Sequence, residues 1–509
     1  MQIDLLDFID DRTDKFSVYS KAIIDDGAII VRPCVDAELI SLKQKLKYEL
    51  KTLVLTIQTS ELENLGYITI SKTSDTDLLF GQFDCDQENS FIIEVNTNIV
   101  DFFRKNMLIE KIYTSNNFAL QSNRYSVEGG HGPSKLATPV WNEENGLILT
   151  AGPSITPLET AYVQDAARNG WNSQWNKYLI SFEAAFADYV GSKYSIATSS
   201  CTGALQISLM ALGVGKGDQV LVPDLTWVAS ATAIRDVGAK PVFVDVEKDS
   251  WNIDSAKLSQ KLTNKTKAIV VVHMYGGAAR MTQIMKFAQE NNLSVVEDAA
   301  PAIGAKWEGK NCGTFGDFGC FSFQGAKLLV TGEGGMLVTD DESLYQKAKK
   351  ISDQGRNPNK TFWIDETGVK FKMSNVQAAL GLGQIQRADE NIAMKRRIFS
   401  WYEENLRGLS SIVLNKEVSN SKSIYWMTSI RLREGCKISQ IDFIKALRSK
   451  NIDSRPVFPA ISQYPIWKET VQPEKVAKAI GSSAINLPSG VGLSKAQVDY
   501  ICNEIRAIV

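Results

Sequence analysis

From about residue 181 the chain alternates between short, continuous apolar runs and helical stretches. SIAT at 195–198 precedes a helix from Thr202, and QVLVP at 219–223 precedes Val228–Val237. PVFVDV (241–246) follows, then AIVVVHMY (268–275) before the helix Met281–Asn291. LSVVEDAA (293–300), CFSF (320–323) and GMLVTD (335–340) complete the series. Runs that are apolar at every position predict strands buried on both faces, as in a mainly parallel sheet flanked by helices. Crossovers in such a sheet are right-handed, and ligands collect at the carboxyl ends of its strands. One long helix is predicted from Ser374 to about Leu406, leading into a smaller C-terminal α+β unit.

The first 120 or so residues read differently. Apolar runs at 28–33, 53–57 and 90–95 mix with a helical stretch, Ala37–Leu53, which predicts a separate α+β module. A Gly-, Ser-, Asn- and Pro-rich passage follows. The expected organisation is an accessory domain over 1–120, a linker over 121–153, a large α/β domain over 154–400 and a small domain over 401–509.

Charge sharpens this division. The 509 residues carry a net −2, but residues 1–150 hold 23 acidic against 14 basic side chains, and residues 151–509 hold 35 against 42. The two parts therefore stand at −9 and +7. No run reaches the roughly 18 consecutive apolar residues that cross a bilayer. The start, MQIDLLDFIDDR, lacks the basic-then-apolar order of a secretory signal. Seven scattered cysteines without a CxxC pair argue against a disulfide framework and a zinc site. Together these features predict a cytoplasmic protein. Only two histidines, His131 and His273, are present, so proton transfer falls to Lys, Asp, Glu or Tyr.

The strands are clear, yet no GxGxxG, GxxxxGK[ST] or GxSxG follows any of them, which removes the dinucleotide, P-loop and α/β-hydrolase readings. Lys327 is the only charged residue between Phe321 and Val330. A lysine in apolar surroundings has a lowered pKa and can serve as a nucleophilic amine, although a lysine snorkelling from a strand end has the same sequence signature. Asp298 ends an apolar strand, where it can face a ligand or merely cap the next turn. SSCTGAL (199–205) opens a helix, with Thr202 and Gly203 suited to an anion and Ser200 or Thr202 equally suited to an ordinary cap. Trp227 lies just past another strand end, able to stack on a flat ring or to pack in the core, and Ser322 adds a hydroxyl near Lys327. In combination, a phosphate cradle, a stacking aromatic, a ring-nitrogen acid and an isolated lysine form the set needed to bind pyridoxal phosphate.

From about Ile155 to Val509 the sequence resembles the DegT/StrS-type sugar aminotransferases, perosamine-synthase-like members above all. The matching stretches include DLTWVASATAI, VVEDAAPAIGA, GTFGDFGCFSFQGAKLLVTGEGGMLVTDD, FKMSNVQAALGLGQI and SRPVFPAISQYP, in that order. The resemblance implies the aspartate-aminotransferase-like fold type I. It further implies that Lys327 is the covalent anchor, Asp298 meets the pyridine nitrogen, Trp227 stacks on the ring, and Thr202, Gly203 and Ser322 hold the phosphate. Two positions depart from the family. Pro301 replaces the usual Gln or His three residues after the aspartate. Lys370 replaces the Asn that reaches across a dimer to the neighbour's phosphate, and can make that contact with a full charge.

The resemblance implies a homodimeric transaminase with a shared active site. An amino acid, L-glutamate by resemblance, would convert the cofactor to pyridoxamine phosphate, and a nucleotide-linked keto sugar would then receive the amino group. A pyridoxamine-phosphate-dependent sugar dehydratase is the alternative within enzymes, but its relatives carry His in place of Lys327. A non-catalytic regulatory or scaffolding relative is the alternative outside them. No metal, nucleic-acid partner or membrane is implied, and residues 1–150 lie outside the resemblance.

Overall fold

The computed structural model describes residues 146–357, 359–467 and 472–509, together with seven strand segments between residues 2 and 93. By internal contacts the chain divides into two compact units, Met1–Pro139 with Thr156–Ala161, and Val140–Ile155 with Tyr162–Val509.

In the first unit, β1 (Gln2–Asp4), β2 (Tyr19–Asp25), β3 (Ala28–Cys34), β4 (Thr52–Gln58) and β5 (Leu65–Ser71) form one sheet in sequence order. Only β3 and β4 run parallel. β6 (Gly81–Asp84) and β7 (Ser90–Ile93) form an antiparallel pair. The apolar runs 28–33 and 53–57 lie in β3 and β4, and 90–93 of the third lies in β7, its last two residues falling outside the described ones. Of the expected helix Ala37–Leu53, Thr52 and Leu53 belong instead to β4, and the rest lies outside the described residues, as does His131.

The second unit is built on a seven-stranded sheet. Its strands are β8 (Tyr194–Thr198), β9 (Gln219–Pro223), β10 (Lys240–Val244), β11 (Thr266–Val272), β12 (Ser294–Asp298), β15 (Phe318–Ser322) and β16 (Gly335–Thr339), in the order β10-β9-β11-β12-β15-β16-β8. All but β16 run parallel to one another; β16 lies antiparallel to both β15 and β8. The departure follows from the connection. No helix lies between Ser322 and Gly335, so the chain turns back on itself instead of crossing over. Between β12 and β15 lie two short strands, β13 (Lys306–Trp307) and β14 (Lys310–Asn311), which pair with each other, and β13 also pairs with β18 (Ser421–Lys422).

Side-chain burial follows the sequence pattern. Every residue of β15 and β16 is buried, and Val220, Val222, Ala268, Val270, Val296, Phe318 and Leu337 share one core with the helix Cys201–Ala211. Phe182, Phe186, Phe321 and Phe323 pack edge-to-face beside β15 at 4.9–6.2 Å between ring centroids. Gly381 lets the helix Asn375–Gln386 press against Phe182: a Cβ there would lie 2.6 Å from that ring.

The predicted long helix is two, Asn375–Gln386 and Ala388–Asn405, broken at Arg387, whose φ of −112° and ψ of 15° leave the helical region. Arg387 also donates to Ser154 Oγ at 2.9 Å, a tertiary contact that helix propensity alone does not encode. Beyond it, β17 (Ile412–Leu414), β19 (Ser429–Leu432), β21 (Ala484–Asn486) and β20 (Arg455–Pro456) form a second sheet in that order, backed by Gln440–Arg448 and Lys495–Ile508. Residues 146–153, expected as linker, are packed instead: Ile148 is buried in this second core and exchanges backbone hydrogen bonds with Asn451 and Asp453.

Candidate active site

A cavity of about 400 Å³ opens where the parallel strands end. Thr202, Trp227, Asp298, Ser322 and Lys327 all line it, with Ser200, Cys201, Tyr275, Pro301, Trp426 and Phe458. β8, β9, β12 and β15 deliver these residues at or just beyond their carboxyl ends, as the position of ligand sites in open α/β sheets requires.

Asp298 closes β12. Alternation along the strand sends its neighbour Glu297 to the opposite face, where Glu297 accepts from Gly313, Phe315 and Gly316 N–H groups and pairs with His273 Nε2 at 2.9 Å. His273 Nδ1 meets Ala279 N–H at 3.1 Å, so both ring nitrogens are engaged inside the protein and the imidazole is a buried structural group. Asp298 itself is 6% exposed. Its Oδ2 accepts from Ser230 Oγ at 2.7 Å and its Oδ1 from Ala300 N–H at 3.2 Å, with Cys201 Sγ 3.9 Å away.

Ser200 caps the helix Cys201–Ala211 from an extended backbone, its Oγ accepting from Gly203 N–H at 3.1 Å. Thr202 faces the cavity. Gly203 does not line it, and its N–H is engaged by the cap. The remaining first-turn N–H groups have no helical carbonyl to meet, which leaves an anion-attracting helix end. Gly335, at the start of β16, fixes that end in place: a Cβ there would lie 2.4 Å from the Ser200 carbonyl carbon and 2.5 Å from Cys201 N.

Lys327 sits on the loop between β15 and β16, and the loop is rigidly held. Phe323 N–H donates to Gly334 O, Lys327 N–H to Gln324 O, Thr331 N–H to Phe323 O, Val330 N–H to Gln384 Oε1 and Trp426 Nε1–H to Ala326 O, all at 2.7–3.1 Å. Lys327 Nζ lies 3.8 Å from the centre of the Trp426 ring. Burial pulls the amine down to about 8, against the opposing pull of Asp298 and Cys201.

Trp227 follows β9 on the loop before the helix Ala229–Asp236. Trp227 is 56% exposed, lines the cavity and has its ring tilted against Phe458 at 5.5 Å. Lys370 stands apart, half-exposed and paired with Asp353 Oδ1 at 2.9 Å. Pro301 lines the cavity without a donor.

Sequence reasoning did not single out Ser230, Tyr275, Trp426, Phe458 or Lys395. Ser230 is three residues beyond Trp227, one helical turn on, and that spacing was the available signal. Tyr275 keeps a left-handed backbone, φ 50°, and stacks between Trp426 and Phe458 at 5.8 and 5.6 Å. Those two aromatics come from far along the chain and read as ordinary core positions.

The donor set suits one group. A hydroxyl-lined helix end accepts a phosphate, a buried carboxylate accepts a ring N–H, an indole lining the cavity covers a flat ring, and an amine of lowered proton affinity condenses with an aldehyde. Those are the four recognition features of pyridoxal phosphate.

Comparison with known proteins agrees. A GDP-perosamine synthase of Caulobacter vibrioides is 40% identical over 356 residues, spanning 70% of this chain and 96% of the relative. A GDP-perosamine synthase of Escherichia coli O157:H7 is 40% identical over 353 residues, with coverages of 69% and 96%. The crystal structure of the aminotransferase TlmJ from Streptoalloteichus hindustanus superposes with a TM-score of 0.66 at 28% identity, covering 71% of this chain and 98% of TlmJ. The fold is the aspartate-aminotransferase-like fold type I and the cofactor is pyridoxal phosphate. With residues 153–506 matched by the family as a whole, the chain belongs to the DegT/DnrJ/EryC1/StrS aminotransferase family.

Proposed function

We propose that this enzyme transfers the amino group of L-glutamate to a nucleotide-linked 4-keto-6-deoxy sugar, with a guanosine diphosphate carrier as in the GDP-perosamine for which its relatives are named. The observation that carries this reading is the convergence of Lys327, Asp298, Trp227, Thr202 and Ser322 on one cavity. In the working enzyme Thr202, Ser322 and the helix end behind them bind the phosphate, Asp298 keeps the ring nitrogen protonated, and Trp227 covers the ring. The cofactor supplies an electron sink for the carbon that loses its proton. Lys327 would be its covalent anchor, and its Nζ, set among Asp298, Cys201 and the Trp426 ring, would hold and move that proton. The pKa of about 8 suits both tasks, because the amine is near half-protonated at mildly alkaline pH and still supplies free amine at neutral pH.

The same reading takes the protein as a cytoplasmic homodimer in which Lys370 serves the neighbouring subunit's phosphate. Among the described residues no helix is long and apolar enough to cross a membrane. The dehydratase alternative is disfavoured by the lysine at 327. Borohydride should fix the cofactor to Lys327 of the purified protein, and Lys327→Ala should abolish that attachment. Glutamate-dependent turnover should appear with GDP-linked keto sugars in a panel of nucleotide sugars. A protein that binds no pyridoxal phosphate, or one that turns over none of the panel, would sink the proposal.

A further inference from the structure

The amine of Lys327 must rest somewhere whenever it is not bonded to the cofactor. It lies 3.8 Å from the centre of the Trp426 ring, within the distance at which an ammonium is held by an aromatic face. Trp426 is itself held from three sides. Its Nε1–H donates to Ala326 O, the residue before Lys327, at 2.8 Å. Its ring stacks on Tyr275 at 5.8 Å and 30°. Its carbonyl accepts from Lys395 Nζ at 2.9 Å, and that lysine, from the helix Ala388–Asn405, is 3% exposed and also donates to Ser489 O. The neighbouring residues add to the clamp: Arg396 donates to Ser423 O, and Tyr425 stacks on Phe399. A buried lysine spent on two backbone carbonyls is an unusual investment for a segment that only closes a wall.

We propose that Trp426 is a positioning residue for Lys327: its indole face is the resting place of the free, protonated amine, and Lys395 fixes that face from behind. The inference rests on Lys327 being the reactive amine. The titratable groups facing that amine are Asp298 from β12 and Cys201 from the helix Cys201–Ala211, with Glu333 on the same cavity wall. The carboxylate of Asp298 and the ring of Trp426 both favour the charged form, while burial opposes it. Removing the ring therefore lowers the proton affinity of Lys327, whereas a ring that only shapes the cavity would leave it unchanged.

Competitive acetylation of the cofactor-free protein across pH, read by mass spectrometry of the Lys327 peptide, measures that affinity with or without turnover. It thus fails separately from the assignment of the reaction. Wild type should label with a midpoint near 8. Trp426→Leu should move the midpoint down by about half to one and a half pH units, and Trp426→Phe by less. A ring-fluorinated tryptophan placed at 426 keeps the shape and weakens the ring face, so it should also move the midpoint down. A wild-type midpoint in the fluorinated protein would overturn the proposal whether or not the leucine variant folds.

Discussion

Ser230 Oγ donates to Asp298 Oδ2 at 2.7 Å, joining the first turn of the helix Ala229–Asp236 to the end of β12. Ser230 has one hydroxyl proton, and Thr226 Oγ1, 3.2 Å from the same oxygen, can supply the next bond in line. The relay Thr226–Ser230–Asp298 ties the loop that carries Trp227 to the carboxylate assigned to the ring nitrogen. A hydrogen bond to a charged group contributes roughly 1.5–3 kcal/mol. Ser230→Ala should therefore weaken pyridoxal phosphate binding about tenfold or more with the fold intact. Titration of the cofactor-free variant by tryptophan quenching checks this, and unchanged affinity would dissociate Ser230 from the cofactor site.

Gly335 makes a prediction about the phosphate end. A methyl group there would overlap the Ser200–Cys201 peptide at 2.4–2.5 Å, and both partners are backbone. The helix start, the strand start or both must shift, at a cost of about 1–3 kcal/mol. Gly335→Ala should lower the melting temperature and also reduce affinity for inorganic phosphate as well as for the cofactor. A variant with lower stability but undiminished phosphate binding would show that the helix end is not placed by this contact.

The legibility of this protein in its sequence follows a physical line. Strands such as Gln219–Pro223 and helix starts such as Ser200–Cys201 are local: apolar continuity and a capping hydroxyl specify them within a few residues. Asp298 and Ser322 at strand ends, and Thr202 in the helix turn just beyond one, share that clarity because the sheet itself gathers them. What stayed hidden depends on distant chain. The break at Arg387 coincides with a contact to Ser154, and β16 is antiparallel because the loop bearing Lys327 returns without a helix. Lys395 opens the basic run Lys395-Arg396-Arg397, and only the fold, not the run itself, shows that the first of the three is buried.

That buried lysine governs a pH effect. Burial alone pulls Lys395 down to about 7 from 10.5. Between these values the unfolded chain binds the proton and the folded chain does not, so stability rises with pH through that window and levels off above it. Below about 7 both states are charged and the penalty is fully present. Lys395→Met removes the titration while leaving two carbonyls unpaired. The melting temperature of wild type should climb relative to the variant as pH increases from 7 to 10, a difference that shrinks to nothing if Lys395 stays charged in the folded protein.

The role proposed for Lys370 is open to a test by subunit mixing. In its own chain Lys370 lies outside the cavity and pairs with Asp353 at 2.9 Å. If it completes the neighbour's phosphate site, Lys327→Ala and Lys370→Ala damage different halves of a shared active site. Each homodimer should be impaired, the first completely and the second through weaker cofactor binding. After denaturation and refolding of an equal mixture, half the dimers are mixed, and each of those has one undamaged site and one doubly damaged site. Activity at limiting cofactor should then recover to about a quarter of wild type. A mixture no more active than the average of its two parents would place Lys370 at its own subunit's surface and remove it from the site.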